Sequence, residues 1–158
     1  SKHDDIIFKI IGDGVEKKRL QNIVQEKSLN NIEFIKPTSK RLIFDLLRAS
    51  DALLLSLKPS DIYRYGNPPN KLFDYLAAGR PIIFSSCAKN NLVNEANCGI
   101  NSNPASKHAL SKAILKLTRL TSAQRRKMGE NAISYVRKNY TTERLSSKLK
   151  NVLDDLMT

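Results

Sequence analysis

Short apolar runs alternate with helical patterns from the N-terminus to about residue 103. Each run contains few polar residues, which is typical of strands that are buried on both faces of a parallel sheet. Polar turns and helical spacing separate the runs, so each strand is expected to be followed by a helix. The predicted strands are Ile6–Ile11, Ile32–Ile35, Ala52–Leu57, Pro81–Ser85 and a short strand near Ile100.

Apolar residues recur at helical spacing in the segments between the predicted strands. Right-handed crossovers through these helices predict a Rossmann-like α/β fold, in which helices cover both faces of a parallel sheet. The predicted helices are Val15 to about Lys27, a helix capped by Thr38 or Ser39, a central helix that ends at Gly79, and a short helix around Leu92–Ala96.

After Pro104 the pattern is entirely helical, so a helical C-terminal tail is expected over residues 106–157. With the sheet part at about 6–103, the sequence predicts a single domain spanning residues 1–158. The tail helices are expected at Ser106–Arg119, Ser122–Asn139 and Thr142–Met157. The apolar residues expected to pack inward are Ala109, Ile114 and Leu117, then Met128, Ala132, Tyr135 and Val136, then Leu145, Leu149, Val152 and Leu156.

The start of the central helix carries the chemistry that stands out most. Pro68-Pro69 precedes the helix and Gly79 follows it, which is the expected asymmetry of helix ends. Lys71 lies in the first turn, where a cation costs roughly 0.3–1 kcal/mol unless an anion binds there. Phosphate is a common ligand of helix N-termini. Asp74, one turn further, offers a carboxylate to sugar hydroxyls, so the pair indicates a nucleotide or nucleotide-sugar site.

A structural alternative explains the same two residues. Lys71 and Asp74 have i,i+3 spacing, so they are also suited to an ion pair on a solvated helix face, worth about 0.2–0.5 kcal/mol. The sequence by itself leaves both interpretations open.

Charge is the unusual bulk property of the 158-residue chain, with a formal net charge of +12. Such a charge is compatible with nucleic acid, an anionic membrane surface or phosphate-bearing small molecules. The basic residues are spread over several helices, are not interleaved with aromatic residues and show no zinc-finger spacing. Nucleic acid is therefore not expected as a partner, whereas peripheral contact with a membrane remains a secondary expectation.

The cysteines and histidines indicate neither a metal site nor a cofactor. Cys87 and Cys98 form no C-x-x-C pair, and with His3 and His108 they make no ligand cluster. Cys87 is expected to be a small buried thiol. The chain shows no secretory pattern and no apolar stretch of roughly 20 residues. A cytoplasmic protein is expected, with the inner face of the membrane as its alternative location.

The order of the motifs resembles the C-terminal, donor-binding domain of family 4 retaining glycosyltransferases, which is one half of a GT-B fold. The resemblance rests on Ile10-Ile11-Gly12-Asp13-Gly14, Asn31–Ile35, Ala49–Leu55 and Lys71–Ile83, followed by Met128–Ala132 and Tyr140–Glu143. It implies a nucleotide-diphosphate-sugar donor, most often a UDP-sugar, and no metal ion. The transfer it implies belongs to polysaccharide or glycoconjugate biosynthesis and is of the hexosyl or N-acetylhexosaminyl type.

The resemblance also implies roles for residues of the central helix. Asp74 takes the place of the glutamate that binds the ribose hydroxyls. The backbone N–H groups of Asn70, Lys71 and Leu72 would hold the diphosphate, and the Lys71 ammonium would add charge. No catalytic residue is assigned, since retaining members of the family are thought to need no protein base in this domain.

Two further contacts of the donor follow from the same resemblance. The backbone at Ile35 and Lys36 occupies the place where the family contacts the base. A second glutamate of the family, which contacts the donor sugar, is replaced here by Gly66. Asp61 is the alternative sugar contact from the same loop.

The family's N-terminal acceptor domain has no counterpart in this sequence. That domain is therefore an expected partner, and the chain alone is expected to be inactive. One alternative is a non-catalytic Rossmann-like binding module that uses its basic surface on a membrane or nucleic acid. Another is a GT-B UDP-sugar epimerase, which the scarcity of acid/base residues in the loop before the central helix disfavours.

Overall fold

The computed structural model describes residues 5–60, 69–88 and 90–157. The chain divides into two compact units, Ser1–Ile43 and Phe44–Thr158. Strands and helices alternate through both units, and three consecutive helices follow. None of the described helices combines the length and the hydropathy needed to span a bilayer.

The first unit contains a two-stranded parallel sheet, in which Phe8 lies opposite Ile32. Gly12 ends the first strand with a φ of 127°, a backbone conformation that favours glycine. Its N–H donates to the Ile35 carbonyl at 3.1 Å, which ties the two strand ends together. The elements are β1 (Phe8–Ile11), α1 (Lys17–Glu26), β2 (Ile32–Ile35) and the start of α2 (Lys40–Ala49).

The first strand forms as predicted, but its predicted burial is wrong. The Ile10 side chain is 42% exposed, and the preceding Ile7 is more exposed still. A sheet of only two strands offers too little surface for other elements to bury apolar side chains on both of its faces. The hydrophobic pattern predicted the strand, but the elements that cover the sheet decide how far its side chains are buried.

The second unit is built on a three-stranded parallel sheet with β4 in the centre. Side chains of β4 are buried from Ile82 to Ser85, as expected for a central parallel strand. The elements are β3 (Leu53–Ser56), α3 (Asn70–Ala78), β4 (Ile82–Ser85), α4 (Leu92–Glu95) and β5 (Gly99–Ser102), followed by α5 (Lys107–Thr118), α6 (Ser122–Asn139) and α7 (Thr142–Leu156).

Helices cover both faces of this sheet, which confirms the predicted fold class. On one face, Leu72 and Leu76 of α3 pack into a core with Ile82 and Phe84. On the other face, α5 packs against Ile83. Since side chains alternate across a strand, β4 supplies both cores.

Helix α7 forms where predicted, but its apolar stripe is not buried. The Thr141 hydroxyl caps the helix by accepting from the Arg144 N–H. The predicted packing role is wrong for Leu145, Leu149, Val152 and Leu156, whose side chains are between 47% and 78% exposed. A cap and an apolar period suffice to form a helix, but burial needs a partner surface that a local pattern does not specify.

Candidate functional site

The three strands of the second unit end together at one edge of the sheet. Ser56, Ser85 and Ser102 are the last residues of β3, β4 and β5, and they lie opposite one another in register. Residues 57–69 connect β3 to α3, and residues 61–68 of this connection lie outside the described residues. Ligands of open parallel sheets bind beyond this carboxyl edge, next to helix N-termini. The candidate site is therefore the start of α3.

The first turn of α3 leaves backbone donors available. Pro69 precedes the helix in an extended conformation, and no side chain caps it. The Leu72 N–H donates to the Pro69 carbonyl at 2.8 Å. The N–H groups of Asn70 and Lys71 have no acceptor among the residues that the structure describes. Such groups at a helix start form an anion-binding site.

The polar side chains of this turn lie on the outer face of the helix. Asn70, Lys71 and Asp74 are exposed, whereas Leu72 and Leu76 are completely buried. In the described part of the chain, no ion pair within 4.0 Å joins Lys71 to Asp74. The ion-pair alternative is therefore not realised, and neither charge has an ion-pair partner among the residues that the structure describes.

The position of α3 is fixed at its far end by two glycines. Gly79 ends the helix in the left-handed conformation, with a φ of 69°. There α3 approaches α6 so closely that a Cβ on Gly129 would lie 2.1 Å from the Gly79 carbonyl oxygen. The contact needs glycine at both positions and sets the distance between the two helices.

Aromatic side chains also pack against the inner face of α3. The Phe73 and Tyr140 rings are 5.0 Å apart at an angle of 59°, within the range of favourable aromatic pairs. The Tyr135 ring follows at 5.9 Å from Tyr140, and its hydroxyl donates to the Glu95 carboxylate. These contacts hold the inner face of α3 and leave its outer face open.

The tyrosines near the site are not poised as bases. Burial raises the pKa of Tyr75, and the neighbouring Asp74 carboxylate raises it further. The pKa of Tyr135 is raised by desolvation first, and then by its hydrogen bond to Glu95. Both phenols therefore stay protonated at neutral pH, where they pack and donate hydrogen bonds.

The remaining predicted donor contacts lie at the end of β2 and in the residues that precede α3. Ile35 is half-buried at the end of β2, and Lys36 follows it with an exposed side chain. Both belong to the first unit. Asp61 and Gly66 lie outside the described residues.

The predicted burial of Cys87 is wrong. Its side chain is exposed in the loop after β4, with its thiol 3.7 Å from the Ser60 carbonyl oxygen. Cys98 is the buried thiol, and burial raises its pKa to about 12. Cys87 lies beyond the last residue of the strand, where the covering helices no longer shield it.

Sequence reasoning missed a polar cluster between α4 and β5. The Asn91 amide donates to the Asn101 side-chain oxygen at 2.7 Å, and the Asn101 amide donates to Asn94. Within the described residues, the buried Ser102 hydroxyl has no hydrogen-bond partner. The available signal was the asparagines of α4, its cap and β5. These residues meet only when the helix packs beside the strand.

These features define a class of protein. The sequence model of the family described as Glycosyl transferases group 1 matches residues 1–119, and the chain belongs to this family. Among curated proteins, none matches the chain.

Solved structures agree on the fold. Sucrose-phosphate synthase from Thermosynechococcus elongatus is 21% identical with a TM-score of 0.75, over 94% of this chain and 38% of that protein. A glycosyltransferase from Rickettsia africae ESF-5 is 19% identical with a TM-score of 0.75, over 99% and 41%. Anabaena Alr3699/HepE, solved in complex with UDP, is 15% identical with a TM-score of 0.74, over 95% and 41%.

The chain therefore spans about two fifths of the length of the structures it matches. Its parallel sheets and flanking helices correspond to one Rossmann-like half of a GT-B glycosyltransferase. The chain is thus a group 1 glycosyltransferase domain, as the resemblance predicted at this coarser level.

Proposed function

We propose that this domain binds the donor, a nucleotide-diphosphate sugar, at the start of α3. The observation that carries the proposal is the pair of available N–H groups at Asn70 and Lys71, beside the exposed side chains of Lys71 and Asp74. The choice of a UDP-sugar draws on the neighbours, of which one was solved with UDP and another with UDP-2-fluoro glucose.

The diphosphate is assigned to the first turn of α3. The Asn70 and Lys71 N–H groups donate to phosphate oxygens, and the Lys71 ammonium balances the negative charge. The cationic role thus falls to the helix start and Lys71 rather than to a metal ion. The Leu72 N–H, which now donates to Pro69, joins them only when that turn opens.

The ribose is assigned to Asp74. An ionised carboxylate accepts hydrogen bonds only, and its two oxygens suit the two hydroxyls of a ribose. One helical turn separates Asp74 from Lys71 and Asn70, so one outer face presents a phosphate site and a hydroxyl acceptor together.

The remaining parts of the proposal concern the base, the sugar and the reaction. Ile35 and Lys36 are assigned to the base, and the loop with Asp61 and Gly66 is assigned to the donor sugar. The helix start stabilises the departing diphosphate, which is an electrostatic contribution to retaining transfer. No residue of this chain is assigned as a catalytic base or nucleophile. The proposed setting is synthesis of a polysaccharide or glycoconjugate by hexosyl or N-acetylhexosaminyl transfer.

Replacement of Asp74 by alanine tests the ribose assignment. We expect Asp74→Ala to weaken UDP binding by about 1–3 kcal/mol, because a charged hydrogen-bond acceptor is lost. Titration calorimetry with UDP measures the change, and circular dichroism checks that the variant is folded.

Asp45→Ala is the matched control, since Asp45 is also an exposed aspartate inside a helix. It should bind UDP like the unchanged chain. A folded Asp74→Ala variant with unchanged affinity for UDP contradicts the assigned role.

The isolated chain is expected to show no sugar transfer. Its matched neighbours are more than twice as long, and the proposal assigns the acceptor site to a separate N-terminal domain of the same enzyme. Release of UDP from UDP-sugars in the presence of added acceptors is the measurement. Acceptor-dependent turnover by this chain alone would contradict the proposal that the acceptor site lies in a separate domain.

A further inference from the structure

A long segment of the second unit carries no negative charge. No aspartate or glutamate lies between Glu95 and Glu130, although acidic residues occur on both sides of this segment. The segment contains β5, α5 and the first half of α6. Its cations are Lys107, Lys112, Lys116, Arg119, Arg125, Arg126 and Lys127.

The fold places several of these cations on one face of α5. Lys112, Lys116 and Arg119 follow one another at i, i+4 and i+7, and all three are exposed. The opposite face of α5 carries Ala113 and Leu117, which pack against the sheet. The cations therefore point away from the core as a single stripe.

Further cations follow in sequence on α6. Arg126 and Lys127 are exposed there, one short turn after Arg119. The Arg125 guanidinium donates to the Leu120 carbonyl at 2.6 Å and fixes the corner between the two helices. We use the term basic surface for the exposed cations Lys112, Lys116, Arg119, Arg126 and Lys127.

Helix stability does not account for the basic surface. Lys116 and Arg119 near the end of α5 are favourable for its dipole, but Arg126 and Lys127 lie beyond the first turn of α6 and gain no stabilisation from the dipole there. Glu130 stands one turn after Arg126, yet in the described residues none of the five cations forms an ion pair within 4.0 Å. The clustered charge is left for an external anion.

We propose that the basic surface docks the protein on an anionic phospholipid bilayer. Lys112, Lys116 and Arg119 line one exposed face of α5, which suits contact with a surface of negative headgroups. No aromatic residue lies between Phe84 and Tyr135, so the segment offers no platform for stacking nucleic-acid bases. Each cation held near an anionic leaflet strengthens binding about fivefold.

Vesicle co-sedimentation of the full chain tests the proposal. The probes are phosphatidylcholine vesicles with and without phosphatidylglycerol, at low and high salt. We expect binding only to the vesicles that contain phosphatidylglycerol, and weaker binding as salt screens the charges. The triple variant Lys112→Gln, Lys116→Gln and Arg119→Gln should lose about 100-fold in vesicle affinity.

A matched variant tests whether vesicle binding depends on the charge of the basic surface or on the net charge of the chain. Lys18, Lys27 and Lys40 are exposed lysines of the first unit, and replacing them by glutamine changes the net charge equally. This control should keep most of the vesicle affinity. An equal loss in both variants overturns the assigned surface, as does equal binding to neutral vesicles. Tighter binding to a single-stranded RNA than to anionic vesicles at the same ionic strength overturns the lipid assignment.

Discussion

Gly99→Ala is expected to cost the second unit at least about 3 kcal/mol of stability, at the upper end of overpacking effects. A Cβ at Gly99 would lie 1.8 Å from the Ile82 carbonyl oxygen and 2.7 Å from its carbonyl carbon. Ile82 is completely buried in the central strand, and its N–H donates to the Cys98 carbonyl. It therefore cannot move away from a new methyl group without disturbing the sheet. Thermal denaturation followed by circular dichroism should show a midpoint lower by about 10 °C.

Gly14→Ala is the matched control for this prediction. A Cβ at Gly14 would meet no atom within 4 Å, and its φ lies outside the left-handed region. Alanine there should be neutral or slightly stabilising, by about 0.4–1 kcal/mol. Equal melting of the Gly99→Ala variant and the unchanged chain would show that the strands do not approach as closely as described.

Gly129→Ala is expected to destabilise the chain by about 2–3 kcal/mol and to weaken UDP binding as well. The new methyl group would meet the Gly79 carbonyl oxygen at 2.1 Å and its carbonyl carbon at 2.8 Å. Alanine recovers up to about 1 kcal/mol through its better helix propensity, which keeps the net loss below that of Gly99→Ala. Because α3 must move away from α6, its first turn, where we propose that UDP binds, moves too. Thermal melts and UDP calorimetry measure the two effects.

Ser134→Ala separates the helix contact from general effects on α6. Ser134 is exposed on the same helix, so its replacement should change neither the melting midpoint nor the UDP affinity. If Gly129→Ala lowers stability but leaves UDP affinity intact, the α3–α6 contact does not position the binding turn. Unchanged stability would show that the close approach of the two glycines is absent.

Element positions were predictable where local signals mark them. Helix α6 has the predicted bounds, because Thr121 and Gln124 form a capping box at its start. Helix α3 ends at Gly79 as predicted, because glycine adopts the left-handed conformation at little cost. In both helices the signal lies within a few residues of the boundary, so no distant contact is needed to find it.

Burial was less predictable, because it depends on which surfaces meet. Apolar residues that the sequence predicted to be buried are buried in β4, partly exposed in β1 and mostly exposed in α7. Cys87 and Cys98 show the same limit, since only the second lies beneath a packed helix. A pattern of apolar residues states that a face can be buried, but not that a partner covers it.

Some features of the candidate site were likewise predictable from the sequence and others were not. The sequence by itself determined where α3 starts and that Lys71 and Asp74 share its outer face, because helical geometry relates residues three apart. Within the described residues the structure joins Lys71 and Asp74 by no ion pair, and it commits the Leu72 N–H to the Pro69 carbonyl. Only the tertiary structure decided that Gly129 lies against the Gly79 carbonyl and positions the end of α3. The glycine contact joins residues that are distant in sequence, and their separation is set only when the sheet and the helices pack together.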